Sequence, residues 1–170
     1  MDSAHALCAS LWAKVDEQVE RTCHLIGIFP EQQLDWAPPI AGAWPAGTLV
    51  GHLLECLAGF CAVLYANAPD RLAHFQSLRG LPVNHRCGRE EALARIAEYR
   101  ARIEEGFGIL RDSDLRRPLP TVFVADGEPL LTLLLGNLEH LINHKHQLFT
   151  YLKLIGVAAG TGDLYRFRGK

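Results

Sequence analysis

Apolar residues return at helical spacing along most of the chain. Leu7, Leu11, Val15, Val19, Leu25 and Ile26 mark a first amphipathic helix, which Ser3 can cap and Pro30 stops after about Phe29. Glu31 to Gly47 carries Pro38, Pro39, Gly42 and Pro45, a composition that breaks helices. It reads as a connection, and Thr48 after it is a good N-cap. A second helix follows from about Leu49 to Ala66. Its stripe of Leu49, Leu53, Leu57, Phe60 and Leu64 is widened by Val50, Leu54 and Cys61, so burial is expected around much of its circumference.

Residues 67–88 contain Pro69, Gly80, Pro82 and Gly88 around a possible short helix near Asp70 to Leu78, a connection longer than bundle loops usually are. The third helix, about Arg89 to Arg111, sets Leu93, Ile96, Ile103, Phe107 and Leu110 against an outer face of Glu90, Glu91, Arg95, Glu98, Arg102 and Glu105. Thr121 to Val124 is a short β-prone run before the turn Asp126-Gly127, too little on which to build a sheet. A fourth helical pattern spans about Leu130 to Ile155, with Gly156 as its stop signal. Four such helices with long connections predict an all-α four-helix bundle with long crossover connections. The length of 170 residues fits one domain over 1–170.

Composition narrows the function classes. Seventeen Lys+Arg against nineteen Asp+Glu give a net charge of −2, with no basic cluster, which argues against a nucleic-acid partner. The longest unbroken apolar stretch, Leu57 to Ala66, is half of the roughly 20 residues a membrane span needs, so no membrane association is expected. Met1-Asp2-Ser3 has no basic region behind it and the first apolar stretch is broken by Lys14, Asp16 and Glu17; the expected location is cytoplasmic. Cys8, Cys23, Cys56, Cys61 and Cys87 are odd in number and form no CxxC pair, which reads as reduced thiols, most of them small core residues.

The histidines carry the chemistry. His140 and His144 stand four apart on the last helix, within about 40° of one face and about 6 Å along the axis, so one metal ion can take both imidazoles. With eight histidines in the chain, chance alone produces such a pair in a sizeable fraction of sequences. Their apolar surroundings add weight, because two rings turned toward a core each need a partner. His52, a third polar ring in an apolar helix, is on its own more often a satisfied core histidine. With the other two it completes the number of ligands that a catalytic zinc-type site uses while keeping a position open.

Neighbouring positions are read both ways. Cys56, at i+4 from His52, is either a further ligand or reactive thiol or a small buried core residue. Glu55 and Glu139 can orient an imidazole or move protons, or lie on solvated helix faces. Gln147 and Tyr151 continue the His140–His144 stripe as pocket lining or as packing, and Trp44 before the second helix can wall a ligand site. His146 points about 200° away from His144, and His5, His24, His74 and His85 have no useful company along the chain.

Two blocks, Trp44-Pro45-Ala46-Gly47-Thr48-Leu49-Val50-Gly51-His52-Leu53 and His140-Leu141-Ile142-Asn143-His144-Lys145-His146-Gln147-Leu148, resemble the signatures of the DinB/YfiT-like superfamily of metalloenzymes. Pro45, Lys145 and His146 stand where that family usually has Ser, Arg and Gly, and the three ligand positions are kept. The resemblance implies a four-helix bundle binding one divalent metal ion per chain, nickel or zinc, through His52, His140 and His144. It also implies enzymes that transfer groups to or from low-molecular-weight thiols, alongside hydrolases and members with no assigned activity.

The leading expectation is therefore a metal-dependent, thiol S-transferase-like enzyme acting on a small-molecule substrate. The alternatives are a hydrolase using metal-bound hydroxide, with Glu55 or Glu139 moving protons, and a non-enzymatic ligand-binding or stress-response module. A homodimer formed through the apolar helices is the expected assembly.

Overall fold

The computed structural model describes residues 3–121 and 124–166. Four long helices dominate them: α1 (Ala6–Ile28), α2 (Ala46–Asn67), α3 (Arg89–Ile109) and α4 (Leu130–Leu154). Two-residue strands, β1 (Pro118–Leu119) and β2 (Glu128–Pro129), pair antiparallel ahead of α4, and a short α5 (Thr161–Leu164) closes the described chain. Val122 and Phe123, the centre of the β-prone run, lie outside the described residues, as do Met1 and Asp2. The short helix expected near Asp70 is a 3-10 segment, Ala73–Gly80.

The helices form an all-α bundle in which α2 packs chiefly on α4 and α3, and α1 on α3 and α4. Chain-consecutive α1 and α2 thus lie across a diagonal, as do α3 and α4, placements that their long connections allow. The most buried helix is α2: Leu49, Leu53, Leu54, Leu57 and Phe60 have no exposed surface. It is also long and apolar enough to meet the length and composition of a membrane span, contrary to the reading of its longest unbroken run, and more than half of its most apolar window is buried against the rest of the bundle. Leu7, counted in the first apolar stripe, is half exposed.

Helix starts differ from the sequence expectation for one physical reason. The α2 helix begins at Ala46 rather than Leu49, because its first amides are satisfied by distant backbone instead of a Thr48 side chain: Ala46 N–H donates to Trp36 O at 2.9 Å and Gly47 N–H to Leu34 O at 2.7 Å. At the start of α1 the amides of Leu7 and Cys8 donate to the Asp112 carboxylate at 3.0 and 2.9 Å. Those two bonds hold the Asp112 carboxyl below its ordinary value and pin the end of α3 to the start of α1.

All five cysteines are free thiols, and four of them are buried. Burial pushes Cys8, Cys56, Cys61 and Cys87 up to about 12, so none is a thiolate nucleophile by itself at neutral pH.

Candidate metal centre

His52 on α2 meets His140 and His144 on α4 along the seam between the two helices. Nε2 of His52 lies 3.0 Å from Nε2 of His140 and 3.1 Å from Nε2 of His144. All three rings are partly buried, and their donor atoms form one convergent group.

The outer nitrogens decide what the inner ones can do. Nδ1–H of His52 donates to Asn84 Oδ1 at 2.6 Å and also faces Glu55 Oε2 at 3.0 Å. Both partners accept only, so the proton sits on Nδ1 and the Nε2 lone pair points inward. On the other side a directed relay starts from a backbone carbonyl. Tyr151 Oη–H donates to Trp44 O at 3.2 Å, so it accepts from Gln147 Nε2 at 3.2 Å. That turns Gln147 Oε1 toward His144, which donates to it from Nδ1–H at 3.0 Å. His144 Nε2 is therefore also a lone pair facing inward.

Electrostatics agree. Burial first, and then the neighbouring His52, hold His140 below the ordinary imidazole value; burial and the other two histidines do the same to His144, against the opposing bond to Gln147. With their protons committed outward, His52 and His144 turn two Nε2 lone pairs toward each other at 3.1 Å, which repel and make no hydrogen bond, and His140 Nε2 lies 3.0 Å from that of His52. A divalent cation relieves this, and the separations are close to those of two ligands each about 2.0–2.1 Å from one ion. The donor set thus fits a metal ion bound by three imidazole nitrogens. The ring of Trp44, 40% exposed, forms the rim: it meets His52 edge-on at 4.8 Å and stacks on His144 at 6.0 Å.

Of the other residues singled out by sequence, Glu55 lies against the cluster with its side chain 42% exposed, and Gln147, Tyr151 and Trp44 join the relay. Cys56 is buried and lies outside the convergent group of donor atoms. Glu139 is exposed and makes no described hydrogen bond or ion pair with the cluster. His146 is exposed and packs on Phe149.

Asn84 was not anticipated. It lies in the long α2–α3 connection with φ +57, a left-handed conformation that Asn tolerates better than most residues. The connection reaches His52 because Gly51 lets it: a Cβ on Gly51 would lie 1.9 Å from His85 O, and Asn84 N–H donates to Gly51 O at 3.2 Å. The unusual length of this connection was the available signal.

The sequence model of the DinB superfamily matches residues 14–148. Among solved structures, a DinB-like protein from Bacillus subtilis superposes with a TM-score of 0.70 at 18% identity, covering 92% of this chain and 99% of that one. Two structures of a mycothiol-dependent maleylpyruvate isomerase, one of them a mutant, superpose with TM-scores of 0.57 and 0.56 at 10% and 11% identity. They cover 92% of this chain but 64% of the isomerase, which carries substantial sequence beyond the shared fold. No curated protein matches by sequence.

Proposed function

The chain belongs to the DinB superfamily, and from that premise we propose that it is a metal-dependent enzyme that uses a low-molecular-weight thiol to transfer or rearrange a small-molecule substrate. His52, His140 and His144 would hold one zinc or nickel ion. The observation that carries the reading is the convergence of three Nε2 atoms, with the outer nitrogens of His52 and His144 committed to Asn84, Glu55 and Gln147. The isomerase that shares the fold is mycothiol-dependent, which favours a thiol over water as the cosubstrate.

When bound, the ion supplies a Lewis acid that favours the deprotonated form of a thiol near neutral pH. The protein's own groups set the stage for it. Asn84 Oδ1 and Glu55 Oε2 keep the proton on His52 Nδ1, and the Trp44–Tyr151–Gln147 relay keeps it on His144 Nδ1. Glu55, beside the cluster and partly exposed, would take up the proton of an incoming thiol by way of solvent. Trp44 offers an apolar wall against which a substrate can be oriented.

Elemental analysis of untagged protein tests the first half. Near-stoichiometric zinc or nickel in the wild type, lost in His52→Ala, His140→Ala and His144→Ala, is the expected result; a wild type that stays metal-free after reloading overturns it. Turnover of electrophilic substrates with and without added thiols tests the second half. Hydrolysis of an ester or amide that is indifferent to thiol would replace the transferase reading by a hydrolase.

A further inference from the structure

A second convergence of ligand-type side chains lies outside the three-histidine cluster. His85, Cys87 and Glu91 bring one nitrogen, one sulfur and one carboxylate oxygen within 4.8 Å of one another. The sequence spacing, His-x-Cys-x-x-x-Glu, straddles the start of α3: Gly88 is its N-cap and Glu91 lies in the first turn. His85 had no visible partner along the chain. The fold supplies one, because Nε2 of His85 lies 2.8 Å from Glu91 Oε1 and the Cys87 thiol bonds to the same carboxylate.

Two backbone anchors fix this arrangement. Cys87 N–H donates to Gly47 O at 3.0 Å, and His85 O sits on Gly51 where no side chain could fit. The segment is thus held against α2 with its side chains turned toward the first turn of α3. One polar atom is left over: Nδ1 of His85 is buried without a hydrogen-bond partner, while Cys87 Sγ lies 3.5 Å from Gly88 O. Cys87 is fully buried, whereas the side chains of His85 and Glu91 are 30% and 45% exposed, which gives an ion a path inward.

We propose that His85, Cys87 and Glu91 form a second metal site, selective for a thiophilic divalent ion of the zinc class, independent of the three-histidine cluster. Thiolate, imidazole and carboxylate are the donors such an ion prefers, and thiolate plus carboxylate balance its two charges. A coordinating ion deprotonates the thiol, and the N-terminus of α3 stabilises the resulting anion. Arg95, 3.8 Å from Glu91 Oε1, neutralises the carboxylate when no ion is bound and competes with it. An ion here would clip residues 85–91 together next to Asn84, stiffening the connection that orients His52.

Cobalt(II) titration of the untagged, reduced, metal-free full chain tests this. A thiolate-to-cobalt charge-transfer band in the near ultraviolet is expected, a signature that three imidazoles cannot give. His144→Ala should lose cobalt from the histidine cluster yet keep the band, so failure of one site is distinguishable from failure of the other. Cys87→Ser should lose the band with the histidine cluster still loading. Should Cys87→Ser fail to fold, Glu91→Gln at its exposed position decides. It should weaken cobalt binding, read from the band, by more than the roughly hundredfold that loss of a supporting contact costs at most. No thiolate band in the wild type, a band that survives Cys87→Ser, or an unchanged titration in Glu91→Gln overturns the proposal.

Discussion

His144 and Lys145 are chain neighbours on α4, and they open onto two different seams of the bundle. Lys145 faces α1 and the C-terminal segment, 2% exposed, with Nζ donating to Gln18 Oε1 at 2.6 Å and to Leu164 O at 3.0 Å and lying 5.6 Å from the Tyr165 ring. Its polar partners come from the fold itself, and the result is mechanical: α5 is tied to the bundle. His144 faces α2, where its proton is committed outward and its inner nitrogen meets two others. A polar group in an apolar helix is therefore not a sign of function by its type alone. What distinguishes the two seams is whether the protein's donors and acceptors balance without an outside partner.

The sharpest way to break this comparison is to exchange its consequences. His144→Ala should abolish near-stoichiometric metal retention while costing the metal-free protein only about 1 kcal/mol, since the bond lost to the partly exposed Gln147 is offset by relief of the facing lone pairs. Elemental analysis and urea midpoints in chelator read the two effects. Lys145→Ala should do the reverse. It leaves Gln18 Oε1 and the Leu164 carbonyl buried without a donor and should cost about 3 kcal/mol, with metal retained. A Lys145→Ala protein as metal-poor as His144→Ala would mean that the seams are not separable.

Smaller effects sharpen the same contrast. Asn84→Ala removes the acceptor of His52 Nδ1–H and should weaken zinc affinity about tenfold in competition with a chromophoric chelator. Unchanged affinity would reduce Asn84 to a loop residue and leave Glu55 as the sole orienting group. The least effect is a pH dependence at Lys145, whose ammonium burial brings down to about 8 from its ordinary 10.5. Between those values the unfolded chain binds more proton than the folded one. The contribution of this group to stability should thus rise as pH climbs through that window and stay flat below it. Wild type minus Lys145→Met, followed by denaturant unfolding across the window, isolates this contribution; parallel curves would show that the ammonium is not held below its ordinary value.

Much of this molecule was legible before folding was considered. The i, i+4 pair His140 and His144 and the ring of His52 could be assigned to helix faces because helical spacing alone fixes direction. Local pattern failed where a partner came from far along the chain. Asp112 caps α1 from 104 positions away, and distant carbonyls rather than Thr48 start α2. Lys145 falls by helical spacing on the stripe of Leu138, Leu141, Leu148 and Leu152 and so points inward, but its partners Gln18 and the Leu164 carbonyl are brought to it only by the fold. His85 read as isolated because the turn joining it to Cys87 and Glu91 forms only against α2.

The sequence by itself therefore determined four helices, their apolar faces and the placing of His140 and His144 on one face, all consequences of periodicity within single segments, while the joining of His52 to that pair was implied only by the family resemblance. Tertiary structure alone decided which nitrogen of His52 carries its proton, because Asn84 reaches it across 32 positions only where Gly51 lets the two backbones touch. It also decided which polar residues find partners within the protein and which are left facing one another. Periodicity is a property of neighbours along the chain, whereas hydrogen-bond balance depends on which segments the packed core brings within 3 Å.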